Sequence, residues 1–96
     1  MPWQKIRKGM KQKMLVSDNK CLRLIKVNDK FVETEWCFKG HIGYVLKGEM
    51  TINFDGELKN FSKGDGLWID KGENSQHKLI MPKNKKVKLL LIDEEV

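Results

Sequence analysis

The sequence predicts an all-β domain of antiparallel strands, and three observations carry that prediction. Short apolar runs are interrupted by Gly, Asp and Asn clusters about every eight to twelve residues, the spacing of a sandwich or barrel. Met50, Ile52 and Phe54 alternate with Thr51 and Asn53, the period-2 pattern of a half-buried strand. Asp55-Gly56 follows at once. A type I′ hairpin turn selects that pair because both of its central positions need positive φ.

Taken in order, strands are expected from Met14 onward. Met14–Ser17 is short and apolar, and Cys21–Val27 is rich in Leu, Ile and Val. Phe31–Phe38 alternates imperfectly through Val32, Thr34, Trp36 and Phe38. Gly43–Leu46 is followed by Lys47-Gly48-Glu49, read as a tight turn before the Met50–Phe54 strand. Leu58 and Phe61 mark the return strand of the Asp55-Gly56 hairpin. Leu67–Ile69 lies between the turns Lys63-Gly64-Asp65-Gly66 and Lys71-Gly72-Glu73-Asn74. His77–Met81 ends at Pro82, and Val87–Ile92 is apolar apart from Lys88. Only the first dozen residues allow a helix, and Gly9 weakens one there.

The chain of 96 residues is one domain's worth. A core this small is thin, which makes a homodimer the expected assembly. The net charge is +6, but Lys5, Arg7, Lys8, Lys11 and Lys13 stand in an acid-free stretch that supplies nearly all of it. Residues 1–13 therefore read as a basic N-terminal arm and 14–96 as a nearly neutral domain. Lysines outnumber arginines 17 to 2. Readers of nucleic acid lean on arginine for bidentate contacts, so nucleic acid is not expected as a partner. No run of 18 apolar residues makes a membrane span, and the first residues lack the apolar core of a signal peptide. Cys21 and Cys37 do not form a disulfide framework. A cytoplasmic protein with reduced thiols is expected, with no membrane partner. Ser17, Ser62 and Ser75 lack the glycine context of a hydrolase nucleophile.

The stretch Gly40-His41-Ile42-Gly43-Tyr44-Val45-Leu46-Lys47-Gly48-Glu49 resembles the end of the first motif of the cupins: H-x-H, a gap, Glu, six residues, Gly. His41 stands at the glutamate, and Gly48 follows after six residues. Gly64 opens a counterpart of the second motif, with Asp70 at its proline position, then Gly72, then His77 two residues late. Fifteen residues, 49 to 63, separate the motif glycines, as in compact single-domain cupins. The resemblance implies an antiparallel jelly-roll (cupin) barrel of eight to ten strands.

It also implies a divalent metal inside the barrel mouth. With a gap of three residues the two histidine positions fall on Glu35 and Cys37; with four they fall on Thr34 and Trp36. In the first alignment Glu35, Cys37, His41 and His77 form the ligand set. Carboxylate, thiolate and two imidazoles suit zinc or iron, with manganese or nickel as further family metals. In the second, only His41 and His77 remain. Beside the metal site stand a metal-free pocket, in which the histidines hydrogen-bond a ligand, and a plain reading of Cys37 as a buried hydrophobe. Trp36, Phe38, Phe54 and Trp68 are the aromatic candidates for pocket walls, and each also serves as ordinary core. Tyr44 faces away from His41 by strand alternation.

The expected function is a small-molecule-binding cupin. With a metal it is an enzyme of isomerase-like or dioxygenase-like character; the alternative is a non-enzymatic ligand sensor acting with a partner protein.

Overall fold

A computed structural model gives the structure of residues 1–93. Residues 94–96, at the end of the expected domain, lie outside the described residues. The strands are β1 (Gln4–Arg7), β2 (Met10–Ser17), β3 (Lys20–Asn28), β4 (His41–Phe54), β5 (Glu57–Ser62), β6 (Gly66–Ile69), β7 (Lys78–Ile80) and β8 (Lys86–Asp93). A 3-10 turn, Glu73–Ser75, precedes β7. Every strand pairing is antiparallel.

β4 is the joint of the molecule. Its first part pairs with β8 and β6, extending the series β1-β2-β3-β8, and its second part pairs with β5 and β7. The two sheets close into a jelly-roll barrel. Alternate residues turn inward: Ile25 and Val27 from β3, Val45, Met50 and Ile52 from β4, Leu67 and Ile69 from β6, and Val87, Leu89 and Leu91 from β8, joined by Phe31. Each large side chain so buried contributes roughly 1.5–3 kcal/mol.

The expected turn at Lys47-Gly48-Glu49 is a bulge inside a continuous strand. The β4–β8 register shifts between Val45 and Lys47, and Gly48 has φ +81°. A Cβ there would lie 1.9 Å from the Lys86 carbonyl oxygen. Glycine lets β4 bend against β8 and pass from one sheet to the other. Asp55 and Gly56, with φ of 53° and 101°, form the expected hairpin turn.

Two further expectations are corrected. Strand structure begins at Gln4 rather than Met14, since β1 and β2 pair with each other and β2 pairs along its whole length with β3. The boundary at residue 13 thus marks a change of charge, with strand on both sides. Phe31–Phe38 is irregular apart from one bridge at Cys37. Its alternation is not a burial pattern: Phe31 enters the core while Val32 and Phe38 are exposed. Glu33 instead accepts a hydrogen bond from the Leu79 amide at 2.8 Å, tying the loop to β7. Among the described residues no helix is long and apolar enough to cross a membrane.

Candidate metal centre

Local backbone geometry brings the two motif segments together. Cys37 and His77 are opposed in an antiparallel bridge, with Cys37 N–H donating to His77 O at 2.9 Å and His77 N–H to Cys37 O at 3.0 Å. Directly opposed residues point to the same face. His41, the first residue of β4, faces inward with Val45. Gly40 lets the chain pass close to the end of β6, for a Cβ there would lie 3.1 Å from the Ile69 carbonyl oxygen.

One ligand atom from each of Cys37, His41 and His77 lies within 4.8 Å of the others. Cys37 Sγ and His41 Nε2 are 3.8 Å apart. The two imidazoles meet edge to face, with centroids 5.3 Å apart. Both histidines are buried, and Cys37 is half-buried. Ligands around a single ion stand at about 2.0–2.3 Å from it, so this spread is close to the coordination scale.

Each ring is oriented from behind. His41 Nδ1 is 2.5 Å from Asp93 Oδ1, and the other carboxylate oxygen pairs with Arg23 Nε at 2.6 Å. His77 Nδ1 donates to the Ser75 carbonyl oxygen at 2.9 Å. His41 Nε2 is thereby turned toward Cys37, and His77 also hydrogen-bonds the Cys37 side chain, the arrangement of metal-binding histidines held from behind by a carboxylate or a carbonyl.

The electrostatics follow from these contacts. Hydrogen bonds from His41 and then His77 hold the Cys37 thiol at about 6, from an ordinary 9.0, against the opposing effect of burial. Burial opposes the charge on His41, but Asp93 and Cys37 outweigh it and raise its pKa to about 9. His77 is also raised: burial opposes, while the bonds to Cys37 and Ser75 prevail. Burial works against the Asp93 carboxylate, yet His41 and Arg23 keep its pKa below the usual value. At neutral pH the protein alone therefore holds a thiolate beside an imidazolium.

Of the four ligands expected from the sequence, three converge. Glu35 is exposed and outside the cluster. The irregular loop gives it no shared strand face with Cys37. Asp93 was missed, although it continues the inward alternation of Val87, Leu89 and Leu91 by one step. An acid at the next buried position was the available signal.

A cleft of about 430 Å³ opens beside the centre, floored by Phe54, Phe61, Leu67 and Ile69 with Lys59 and Gln76 among its polar walls. The three converging residues do not line it. They stand behind Phe54, whose ring centroid is 6.3 Å from that of His77, and behind Ser75. Of the expected aromatic walls, Phe54 and Trp68 line the cleft, Trp68 from the outward side of β6. Trp36 instead has the Lys78 ammonium over its ring at 4.5 Å, and Phe38 is exposed.

Comparison with known proteins gives no match among curated proteins. Solved structures match the fold closely at low identity. An RmlC-like cupin from Shewanella frigidimarina superposes with a TM-score of 0.81 at 20% identity, covering 99% of this chain and 84% of that one. The polyketide cyclase RemF from Streptomyces resistomycificus gives 0.80 at 16% identity, covering 96% and 72%. KdgF from Halomonas sp. gives 0.78 at 19%, covering 100% and 88%. The sequence model for the cupin domain matches residues 39–93, a span holding both histidines and Asp93. With the barrel, the glycine-marked bends and that match in agreement, the chain belongs to the cupin domain family.

Proposed function

We propose that the protein is a metal-dependent cupin enzyme acting on a small organic molecule bound in the cleft beside Phe54. One divalent ion is held by Cys37, His41 and His77. The convergence of these three ligand atoms within 4.8 Å carries the reading. One thiolate and two imidazoles favour zinc, then iron, over the harder manganese or a nickel ion. Three protein ligands leave a position open for substrate, which favours an enzyme over a sensor.

When bound, the ion supplies Lewis acidity toward an oxygen of the substrate. The chain's own residues prepare the site. Cys37 is already a thiolate at neutral pH. His41 must release its Nε2 proton to act as a ligand, while its Nδ1–H remains donated to Asp93, and Arg23 holds Asp93 in place. Phe54 lines the cleft and lies against the His77 ring, so it joins the cleft to the centre. The apolar floor, with Lys59 and Gln76 at its walls, suits a mainly apolar molecule with one or two polar groups, and the cleft lies within the usual pocket range of roughly 300–1,000 Å³. A structural neighbour named as a polyketide cyclase supports a small organic substrate for this fold. Isomerase-like or dioxygenase-like chemistry is the class such a centre serves. The free thiols Cys21 and Cys37 accord with a cytoplasmic setting.

Cobalt(II) substitution tests the reading. The expected result is a thiolate-to-metal charge-transfer band at one cobalt per chain, absent in Cys37→Ser. Cobalt uptake with no such band would overturn the assignment of Cys37 as a ligand.

A further inference from the structure

Among the described residues that line the cleft beside Phe54, Lys59 is the one cation. Its place follows from strand register. On β5, Lys59 lies opposite Ile52 and Phe61 opposite Met50. Ile52 and Met50 are 4% and 2% exposed, so the two β5 side chains face the barrel interior with them. A lysine at such a position sets its charge over an apolar floor. The Lys59 ammonium stands over the Phe54 ring, 5.5 Å from its centroid. The centroid of that same ring is 6.3 Å from that of His77. Phe54 therefore adjoins both the cation of the cleft and a residue of the metal centre.

We propose that the substrate of this site is a singly charged carboxylic acid, its carboxylate paired with Lys59 and its apolar body laid on Phe54. The inference rests on the cleft being the substrate site, as in the function proposed above. Three observations select the charge and the group. The cation is not neutralised within the cleft. A ring face attracts an ammonium without cancelling its charge, and Glu57, at 3.9 Å, is beyond hydrogen-bond reach with a side chain 72% exposed. The acids of the cleft already hold other donors. Asp55 accepts from the Gln76 amide at 2.7 Å, and Asp70 accepts from the Trp68 indole at 3.2 Å. They leave Lys59 unmatched, and their two charges oppose a second negative charge on the ligand, which selects a carboxylate over a phosphate monoester. The floor of Phe54, Phe61, Leu67 and Ile69 takes the apolar remainder. A neutral molecule seated there would cover the ammonium without giving it an acceptor, at a cost in desolvation.

Titration of the metal-free full chain, followed by NMR on the indole N–H of Trp68 at the cleft wall, tests the proposal. The probes are phenylpropanoate, its uncharged amide and phenyl phosphate. The carboxylate is expected to bind at least about threefold more tightly than either of the others, a modest factor because the Lys59 side chain is 57% exposed. Lys59→Met keeps an apolar stem over Phe54 and is expected to bind carboxylate and amide alike, while Lys59→Arg restores the preference. Equal binding of carboxylate and amide by wild type overturns the proposal, as does a carboxylate preference kept in Lys59→Met or no carboxylate binding at millimolar concentration. Tighter binding of phenyl phosphate overturns it in favour of a phosphate ester. The metal is read separately by the cobalt band. The band without a carboxylate preference removes the acid alone, and the preference without the band supports the acid and removes the metal.

Discussion

At the level of single residues, Asp93 decides the state of the centre. Its carboxylate holds the proton on His41, whose pKa of about 9 is a consequence of that contact and of Cys37. In Asp93→Asn the His41 titration, followed by NMR on the ring protons, should fall from about 9 toward or below 6.5. A midpoint left near 9 would mean that Asp93 is not the cause. The protein contains only two histidines, so the assignment is direct. Metal must displace the His41 proton, so affinity should rise with pH from 7 to 9 by about tenfold per unit for one proton released. Zinc titrations that show no pH slope would count against His41 as a ligand. Cys37, with a pKa of about 6, should be alkylated at a rate that climbs between pH 5 and 7 and then levels, while buried Cys21 stays unmodified and zinc protects Cys37. Cys37, His41 and His77 were legible in the sequence because both histidines fall in motif segments. Glu35 was misplaced because reading it beside Cys37 presumed a strand. Register within an irregular loop depends on contacts such as Glu33 to Leu79, which no periodicity records.

At the level of elements, the long β4 strand positions the whole site. It starts with His41, supplies core at Val45, Met50 and Ile52, and ends at Phe54 beside the cleft. Gly48 makes this one strand instead of two. Gly48→Ala combines a positive φ with a Cβ placed against the Lys86 carbonyl and should lower stability by at least about 1–3 kcal/mol in denaturant unfolding. Gly56→Ala shares the positive φ but has nothing within 4 Å and should cost less. Equal losses at the two positions would show that the β4–β8 contact carries no weight. The hairpin at Asp55-Gly56 was readable from its residue pair alone. The bulge was not, since Lys47-Gly48-Glu49 has the composition of a turn. Only its pairing with β8, some forty residues away in sequence, decides between the two.

At the scale of the whole molecule, the basic excess becomes a structural pattern. Lys5 and Lys11, which looked like part of an N-terminal arm, begin a row of register partners that continues through Lys26, Lys88 and Lys47 on later strands. Like charges directly opposed across strands cost up to about 1 kcal/mol per pair. Lys26→Glu, flanked by Lys11 and Lys88, should therefore raise the thermal midpoint at low salt, with the gain shrinking as salt is added. A lower midpoint would indicate that Lys26 is needed elsewhere, for instance over the Trp3 ring, from whose centroid its ammonium is 4.3 Å distant. The barrel itself was legible because turn spacing, strand alternation and motif glycines agree. The sheet between these lysines was not, because charge hides the strand pattern of residues 4–13. The central claim, a metal held by Cys37, His41 and His77, is tested most directly by the metal content of protein purified without a histidine tag. About one divalent ion per chain, lost in both Cys37→Ala and His77→Ala with the fold intact, is the predicted result. Metal-free protein that also fails to take up zinc or iron(II) on addition would contradict it.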